Sequence, residues 1–151
     1  MLNAAFVAAL DHWLTRMVHT NCDKQDTKDT IFHGVAVPEM SIANYIERIA
    51  TYSELDVSEF ILCVIYFKRI QKLHPCFPCS HRSIHRTILS LLLIATKMHR
   101  DRPFSNRFYA KLGGISSLEL ARLERCVLHL LDYRLFVSVD EYTHEANCWD
   151  A

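Results

Sequence analysis

Glycine is scarce in this sequence, at 3 of 151 residues, and proline occurs only 4 times. Nucleotide enzymes usually hold phosphate on glycine-rich loops at helix starts, and the sequence shows no such loop. It also shows no G-x-S-x-G, P-loop or H-E-x-x-H motif, and no recognisable pair of catalytic carboxylates. These absences argue against an enzyme with a small-molecule substrate and favour a module that binds other proteins.

Net charge is lacking as well, because 17 basic side chains are balanced by 17 acidic ones. We therefore see no electrostatic case for nucleic acid or an anionic membrane surface as the main partner. The uncharged run from Thr87 to Thr96 is far shorter than the roughly 20 residues that cross a bilayer. The sequence thus predicts no nucleic-acid partner and no membrane span.

The six cysteines do not form an obvious disulfide framework. They lie at positions 22, 63, 76, 79, 126 and 148, and Cys63 and Cys126 fall within apolar helical pattern. The apolar N-terminal stretch has no basic segment before it and is interrupted by Asp11, so we expect no signal peptide. A reducing, intracellular location follows, in the nucleus, the cytoplasm or both.

The segment Cys76-Phe77-Pro78-Cys79 raises two functional alternatives, a metal site and a redox site. The candidate metal ligands are Cys76 and Cys79 with His74, His81 or His85. Zinc needs four ligands, however, and a second C-x-x-C or a well-spaced histidine pair is missing. A thioredoxin-like motif requires a βαβ unit, which the pattern does not provide. The favoured interpretation is a proline-stiffened loop with two free thiols, and we expect no metal and no cofactor.

Helical periodicity accounts for most of the remaining sequence. It predicts helices over residues 2–19, 42–52, 57–73, 82–99, 106–112 and 117 to about 133, followed by a short C-terminal helix. Residues 20–30 are polar and predict a linker, which would allow the first helix to pack away from the core. N-terminal capping signals occur at Ser41, Asp56–Glu59, Ser105, Ser116–Glu119 and Ser138–Glu141, and Gly113-Gly114 is a C-terminal signal.

Two charged residues stand out against the apolar helices. Glu124 lies inside a stripe formed by Leu120, Leu123 and Leu128, where a buried carboxylate needs a partner. Lys97 ends the uncharged run of the preceding long helix. Each has an ordinary alternative: the Glu124 head group reaches water at the edge of the stripe, and Lys97 is a solvated cation in the last turn of its helix.

Five segments in order resemble the cyclin box, and specifically the P/U-type cyclins, the group that includes the yeast phosphate-pathway cyclin. The resemblance runs from Phe32 to about Val139 and is most specific in the FYAKLGGIS segment and the helix that follows it. The matching segments are FHG at 32–34 with SIANYIERI at 41–49, IHR at 84–86, ATK at 95–97, NRFYAKLGGIS at 106–116 and LARLERCVLHLLDYRLFVS at 120–138.

The resemblance implies an all-α fold, a five-helix cyclin box with an extra N-terminal helix and a short C-terminal helix. Residues 1–30 would hold the first helix and the linker, and residues 31–151 a single cyclin-box domain. It also implies a regulatory subunit, not itself an enzyme, that binds and activates a cyclin-dependent kinase. The alternative is a cyclin-fold adaptor that binds proteins without activating a kinase.

The same resemblance assigns kinase-binding roles to individual residues. Lys97 and Glu124 correspond to the family's interface pair, whose heads contact each other and the kinase backbone near its αC helix. The apolar contact surface around this pair would come from Ile94, Met98 and Leu128. The leading helix with Trp13 matches the family only by position and is treated as a further kinase-contacting element.

The sequence also departs from the family in three places. It has no MRAIL-like segment, so we expect no substrate-docking patch of that kind. Lys68 replaces the Asp that pairs in relatives with an Arg of the preceding helix, so Arg48 is predicted to lose its partner. Finally, the family's K-F-x-D-D becomes KMHRD at 97–101, where we expect the basic changes to influence partner choice.

Overall fold

The computed structural model describes residues 2–21 and 29–149. Within these ranges the chain forms seven α-helices and no strand, which confirms the predicted all-α class. Cys22 and most of the predicted linker lie outside the described residues. The helices are α1 (Ala4–Asn21), α2 (Ile42–Ser53), α3 (Val57–Leu73), α4 (Ile84–His99), α5 (Asn106–Gly113), α6 (Ser117–Leu130) and α7 (Val139–Asn147).

Capping residues start the helices where the sequence predicts them. Complete capping boxes open α3 at Asp56–Glu59 and α6 at Ser116–Glu119, so side chains satisfy N–H groups that a helix start leaves free. Gly114 ends α5 in the left-handed region at φ 75°, the conformation in which glycine is favoured. Single side-chain caps start α2 at Ser41 and α5 at Ser105.

The start of α7 differs from its prediction. Ser138 Oγ accepts a hydrogen bond from the N–H of Glu141 at 3.1 Å, as a capping residue should. The Glu141 carboxylate, however, pairs with Arg69 of α3 at 2.7 Å. The acid predicted to complete a local capping box therefore makes a tertiary contact that holds α7 against α3.

The centre of the fold is formed by α3 and α4, which pack along each other. Every residue of α4 from Thr87 to Thr96 is buried, so the uncharged run is the inner helix of the bundle. Its hydroxyl groups do not remain unsatisfied: Thr87 donates to Ser83 O at 2.9 Å and Thr96 donates to Leu93 O at 2.8 Å. The remaining helices surround this pair.

The first helix packs on the same core and not away from it. Phe6 meets Phe60 of α3 edge to face at 6.3 Å between ring centroids, and Trp13 meets Phe67 at 5.8 Å. The division of the chain at residue 30 stays a prediction, although α1 shares the core of the helices that follow it. Its buried residues are Phe6, Val7, Leu10, Leu14 and Val18.

The end of α6 comes earlier than the periodicity predicts, at Leu130 and not near residue 133. Asp132 and Tyr133 both adopt the left-handed region, with φ values of 53° and 56°. This turn reverses the chain without glycine, and the N–H of Tyr133 donates to Leu128 O at 2.9 Å. The residues that follow run across α3 as an extended segment and lead into α7.

Lys68 forms an ion pair with a residue of the C-terminal helix α7. Its Nζ lies 2.7 Å from Oε1 of Glu145, and Trp149 Nε1 donates to the same oxygen at 2.9 Å. Arg48, whose partner was predicted to be lost, donates instead to the carbonyl oxygen of Leu112 at 3.2 Å. The charge change at residue 68 therefore links α3 to α7, and Arg48 links α2 to α5.

Candidate functional site

The packing of α4 against α6 brings Lys97 and Glu124 together at the surface. Lys97 Nζ donates to Glu124 Oε1 at 2.5 Å. The Lys97 side chain is 36% exposed and that of Glu124 is 17% exposed, so the pair lies at the edge of the core. Neither ordinary alternative describes this geometry, because each charge has the other as its partner.

Asn106 at the start of α5 completes the arrangement around Glu124. Its Nδ2 donates to Oε2 of the carboxylate at 2.8 Å, so both Glu124 oxygens are engaged within the chain. Lys97 uses one of the three donors of its ammonium group in this bond, which leaves two for other acceptors. No pattern in the sequence singles out Asn106, because a polar residue in the first turn of a short helix carries no distinctive signal.

The three apolar residues predicted to surround this pair differ in exposure. Met98 is 51% exposed, Leu128 is half-buried, and Ile94 is 2% exposed. In this structure Ile94 therefore supports the surface from beneath, whereas Met98 and Leu128 contribute to it.

An apolar groove of about 450 Å³ begins at Met98. Its outer wall comprises the segment after α6 and the first residue of α7, where Phe136 and Val139 are each 81% exposed. Exposed apolar side chains gathered around a groove are typical of a surface that another molecule covers. The groove is lined by Ser58, Leu62, Tyr66, Met98, His99, Leu135, Phe136, Val137, Ser138, Val139 and Tyr142.

Two residues of α3 hold the outer wall of the groove in place. Tyr66 donates its hydroxyl to Leu135 O at 2.8 Å, and burial raises the pKa of this phenol above its ordinary value. Arg69 donates to the carbonyls of Arg134 at 2.8 Å and Phe136 at 2.9 Å. Because its backbone is bonded to α3, the extended segment presents Phe136 from a fixed position.

The sequence of these helices matches that of a known protein family. The sequence model described as Cyclin matches residues 8–135, which include α4, the Lys97–Glu124 pair and Asn106. The chain belongs to the cyclin family. The match begins within α1, earlier than the resemblance predicted from Phe32.

Individual cyclins agree with the predicted P/U type. Cyclin-P3-1 of Oryza sativa subsp. japonica is 41% identical over 135 residues, covering 86% of this chain and 57% of its own length. Cyclin-U1-1 of Arabidopsis thaliana is 37% identical over 107 residues, covering 71% of this chain and 51% of its own. PHO85 cyclin-7 of Saccharomyces cerevisiae is 37% identical over 127 residues, covering 77% of this chain and 45% of its own length. This cyclin thus spans only about half the length of these curated relatives.

The cysteine loop of this cyclin lies away from the Lys97–Glu124 pair, between α3 and α4. Cys76 is exposed and Cys79 is buried, and neither is bonded to another cysteine of the described residues by a disulfide. Across the described residues, no three histidine, cysteine or acidic side chains lie close enough to hold a metal ion. Nor is any helix in these ranges both long and apolar enough to span a bilayer.

Proposed function

We propose that this cyclin is the regulatory subunit of a cyclin-dependent kinase, which it binds and activates by holding the kinase αC helix in its active position. The observation that carries the proposal is the Lys97–Glu124 pair, fixed by Asn106 at the end of the buried helix α4. The family membership supports it, and one relative, PHO85 cyclin-7, is named as a cyclin of PHO85. We place the complex in the nucleus, the cytoplasm or both.

The chemistry of the pair suits recognition of a peptide backbone. The Glu124 carboxylate is already satisfied on both oxygens, so it mainly holds Lys97 in one position. The remaining Lys97 donors would bond carbonyl oxygens of the kinase, and charge-assisted bonds of this kind are geometrically demanding. The adjacent groove from Met98 to Val139 would receive apolar side chains of the kinase.

The proposed mechanism is allosteric, with no chemical step and no cofactor on the cyclin. A kinase holds its nucleotide phosphates productively only when the αC glutamate pairs with the β3 lysine. A partner that binds the αC-in state more tightly shifts the kinase towards that state. Moving the equilibrium from 1:99 to 99:1 needs about a 10⁴-fold difference in affinity, which calls for a large and well-packed surface.

The first experiment measures capture of purified cyclin-dependent kinases by the immobilised cyclin. Lys97→Ala removes the ammonium donors, and Glu124→Gln removes the charge that positions them, so both variants should capture the kinase less well. The matched control is Lys72→Ala, because Lys72 is also an exposed lysine in the last turn of a helix. Circular dichroism checks that every variant remains folded.

The second experiment measures phosphorylation of a generic peptide by the captured kinase with and without the cyclin. Activation by the wild-type chain supports the regulatory role. Capture without any increase in phosphorylation would favour the adaptor alternative. Capture that is equal for wild type, Lys97→Ala and Glu124→Gln would show that the pair is not the interface.

A further inference from the structure

The outer surfaces of α5 and α6 carry an unusual share of positive charge. Four exposed cations, Arg107 and Lys111 on α5 and Arg122 and Arg125 on α6, form what we term the basic face. Arg107 and Lys111 are four residues apart and Arg122 and Arg125 are three apart, so each pair lies on one side of its helix. None of the four has an ion-pair partner among the described residues.

The acidic residues of these helices do not neutralise the basic face. Glu119 pairs with Arg86 of α4 at 3.0 Å, and Glu124 pairs with Lys97 at 2.5 Å. α5 contains no acidic residue. Although the whole chain has a formal charge of zero, this part of its surface therefore has an excess of positive charge.

The two helices pack side by side in opposite directions, so the two pairs of cations lie on neighbouring elements. The short turn from Gly114 to Ser116 connects them at one end. Towards the other end, Asn106 bonds to Glu124 at 2.8 Å. Arg107 and Arg125 follow these two residues in sequence, so their backbones lie beside that bond.

We infer that the basic face binds an acidic polypeptide segment of another protein. Charge complementarity selects such a segment, since the four cations have no neutralising partner within the described chain. An extended segment of about 12 residues spans roughly 40 Å and could contact both helices. Nucleic acid fits less well, because the remaining surface carries exposed acids such as Glu47, Glu54 and Asp140 that would repel a phosphate backbone.

The test is fluorescence anisotropy of a labelled acidic peptide of about 12 residues, titrated with the full chain at about 50 mM salt. A matched peptide with Gln in place of Glu provides the uncharged probe, and a single-stranded DNA of similar length provides the nucleic-acid probe. The double variant Arg122→Glu/Arg125→Glu should weaken binding of the acidic peptide by about tenfold or more. The control double variant Arg16→Glu/Lys72→Glu makes the same change in net charge at exposed cations on α1 and α3.

The expected result is tight binding of the acidic peptide alone, lost in the Arg122/Arg125 variant, retained in the control and weakened at about 200 mM salt. Equal loss in both double variants would show an effect of net charge without a defined surface and overturn the inference. Equal or tighter binding of the DNA would overturn it in favour of a nucleic-acid surface. The inference does not rest on the proposed kinase partnership, because the probe is tested on the cyclin without a kinase.

Discussion

At the scale of single residues, Arg100 has the most unexpected position. It belongs to the KMHRD segment that departs from the family, yet its guanidinium turns inward. Its Nε donates to Glu59 Oε1 at 2.7 Å, and its terminal nitrogens donate to the carbonyls of Ser53 and Glu54. This one side chain therefore joins the end of α2, the start of α3 and the end of α4. How these helices are connected without the family's Asp at residue 68 is explained in part by Arg100.

Arg100→Ala should destabilise the fold by about 2–3 kcal/mol at pH 7, measured by urea unfolding. The Glu59 side chain is only 3% exposed, so the substitution leaves a buried carboxylate without its cation. Arg102→Ala is the matched control, because that arginine is exposed and should change stability by less than about 0.5 kcal/mol. Equal stability of the two variants would contradict the role given to Arg100.

Lowering the pH should reduce the difference in unfolding free energy between wild type and Arg100→Ala. Burial alone would raise the pKa of Glu59, but the hydrogen bonds from Arg100 and from the backbone outweigh it and lower this pKa below its ordinary value of 4.5. The stability that the pair contributes is therefore present above pH 4.5 and is lost as the pH falls below it. A difference that stays constant down to pH 3 would assign the loss to packing.

A second residue-scale prediction concerns His85, which is 7% exposed. Its Nε2 donates to Met40 O at 2.8 Å, so the neutral ring carries its proton there, and burial lowers its pKa below the ordinary 6.5. Because the unfolded chain takes up a proton that the folded chain resists, stability should fall as the pH drops below 6.5. The His85 contribution is at most about 1.4 kcal/mol per pH unit.

The measurement is urea unfolding at several pH values between about 5.5 and 7.5, which lie above the pH range in which carboxylates usually titrate. His85→Gln keeps a donor for Met40 O but cannot be protonated. The unfolding free energy of this variant should therefore change less steeply with pH than that of wild type. His12→Gln, at an exposed histidine of α1, should keep the wild-type slope. A slope unaffected by the change at residue 85 would rule this histidine out as the cause.

At the scale of elements, the sequence predicts helix starts better than it predicts helix ends. Capping residues such as Asp56 and Ser116 act locally, so they mark a start without knowledge of the fold. The end of α6 depends on left-handed Asp132 and Tyr133. Non-glycine residues seldom adopt that conformation, so no local pattern identifies the turn.

The sequence likewise predicts some residues of the candidate site and not others. Lys97 and Glu124 were predicted from the family resemblance, since periodicity alone left ordinary alternatives for both. Asn106 and Phe136 owe their roles to contacts between different elements: the side chain of Asn106 bonds to α6, and the backbone carbonyl of Phe136 accepts a bond from α3. Such contacts leave no local signal in one sequence.

The attachment of α7 gives an element-scale prediction. Glu145 is 8% exposed, and Lys68 supplies the cation that permits its burial. Lys68→Asp would place two carboxylates together, so we expect a loss of about 2–4 kcal/mol and release of α7 from α3. Trp149 should report this release through its fluorescence, because it lies 5.7 Å from Trp13 between ring centroids.

Two further variants make the α7 test specific. Lys72→Asp changes an exposed lysine on the same helix and should leave both stability and fluorescence nearly unchanged. Adding Glu145→Lys to Lys68→Asp restores opposite charges and should recover part of the lost stability. If the double variant is no more stable than Lys68→Asp alone, charge repulsion is not the cause.

At the scale of the whole molecule, the surface contains two regions of different chemistry, one apolar and one positively charged. The core is continuous from α1 to α6, and the two most exposed apolar side chains after α6, Phe136 and Val139, line one groove. The Lys97–Glu124 pair lies on the Met98 side of that groove, whereas the basic face occupies the outer sides of α5 and α6. Two partners of different chemistry could therefore contact the same small domain through different surfaces, one apolar and one charged.

The last prediction tests whether the groove takes part in kinase binding. Phe136→Ser should weaken kinase capture by about 10- to 100-fold, because a large aromatic side chain at an interface contributes far more than its neighbours. Phe136 is 81% exposed in the free chain, so the variant should fold as well as wild type. Leu118→Ser is the control, since Leu118 is 60% exposed at the start of α6 and does not line the groove.

Equal capture by both variants would separate the groove from the kinase site and leave Lys97 and Glu124 to bind without it. Loss of capture by Phe136→Ser alone would extend the proposed interface from the charged pair across the groove to α7.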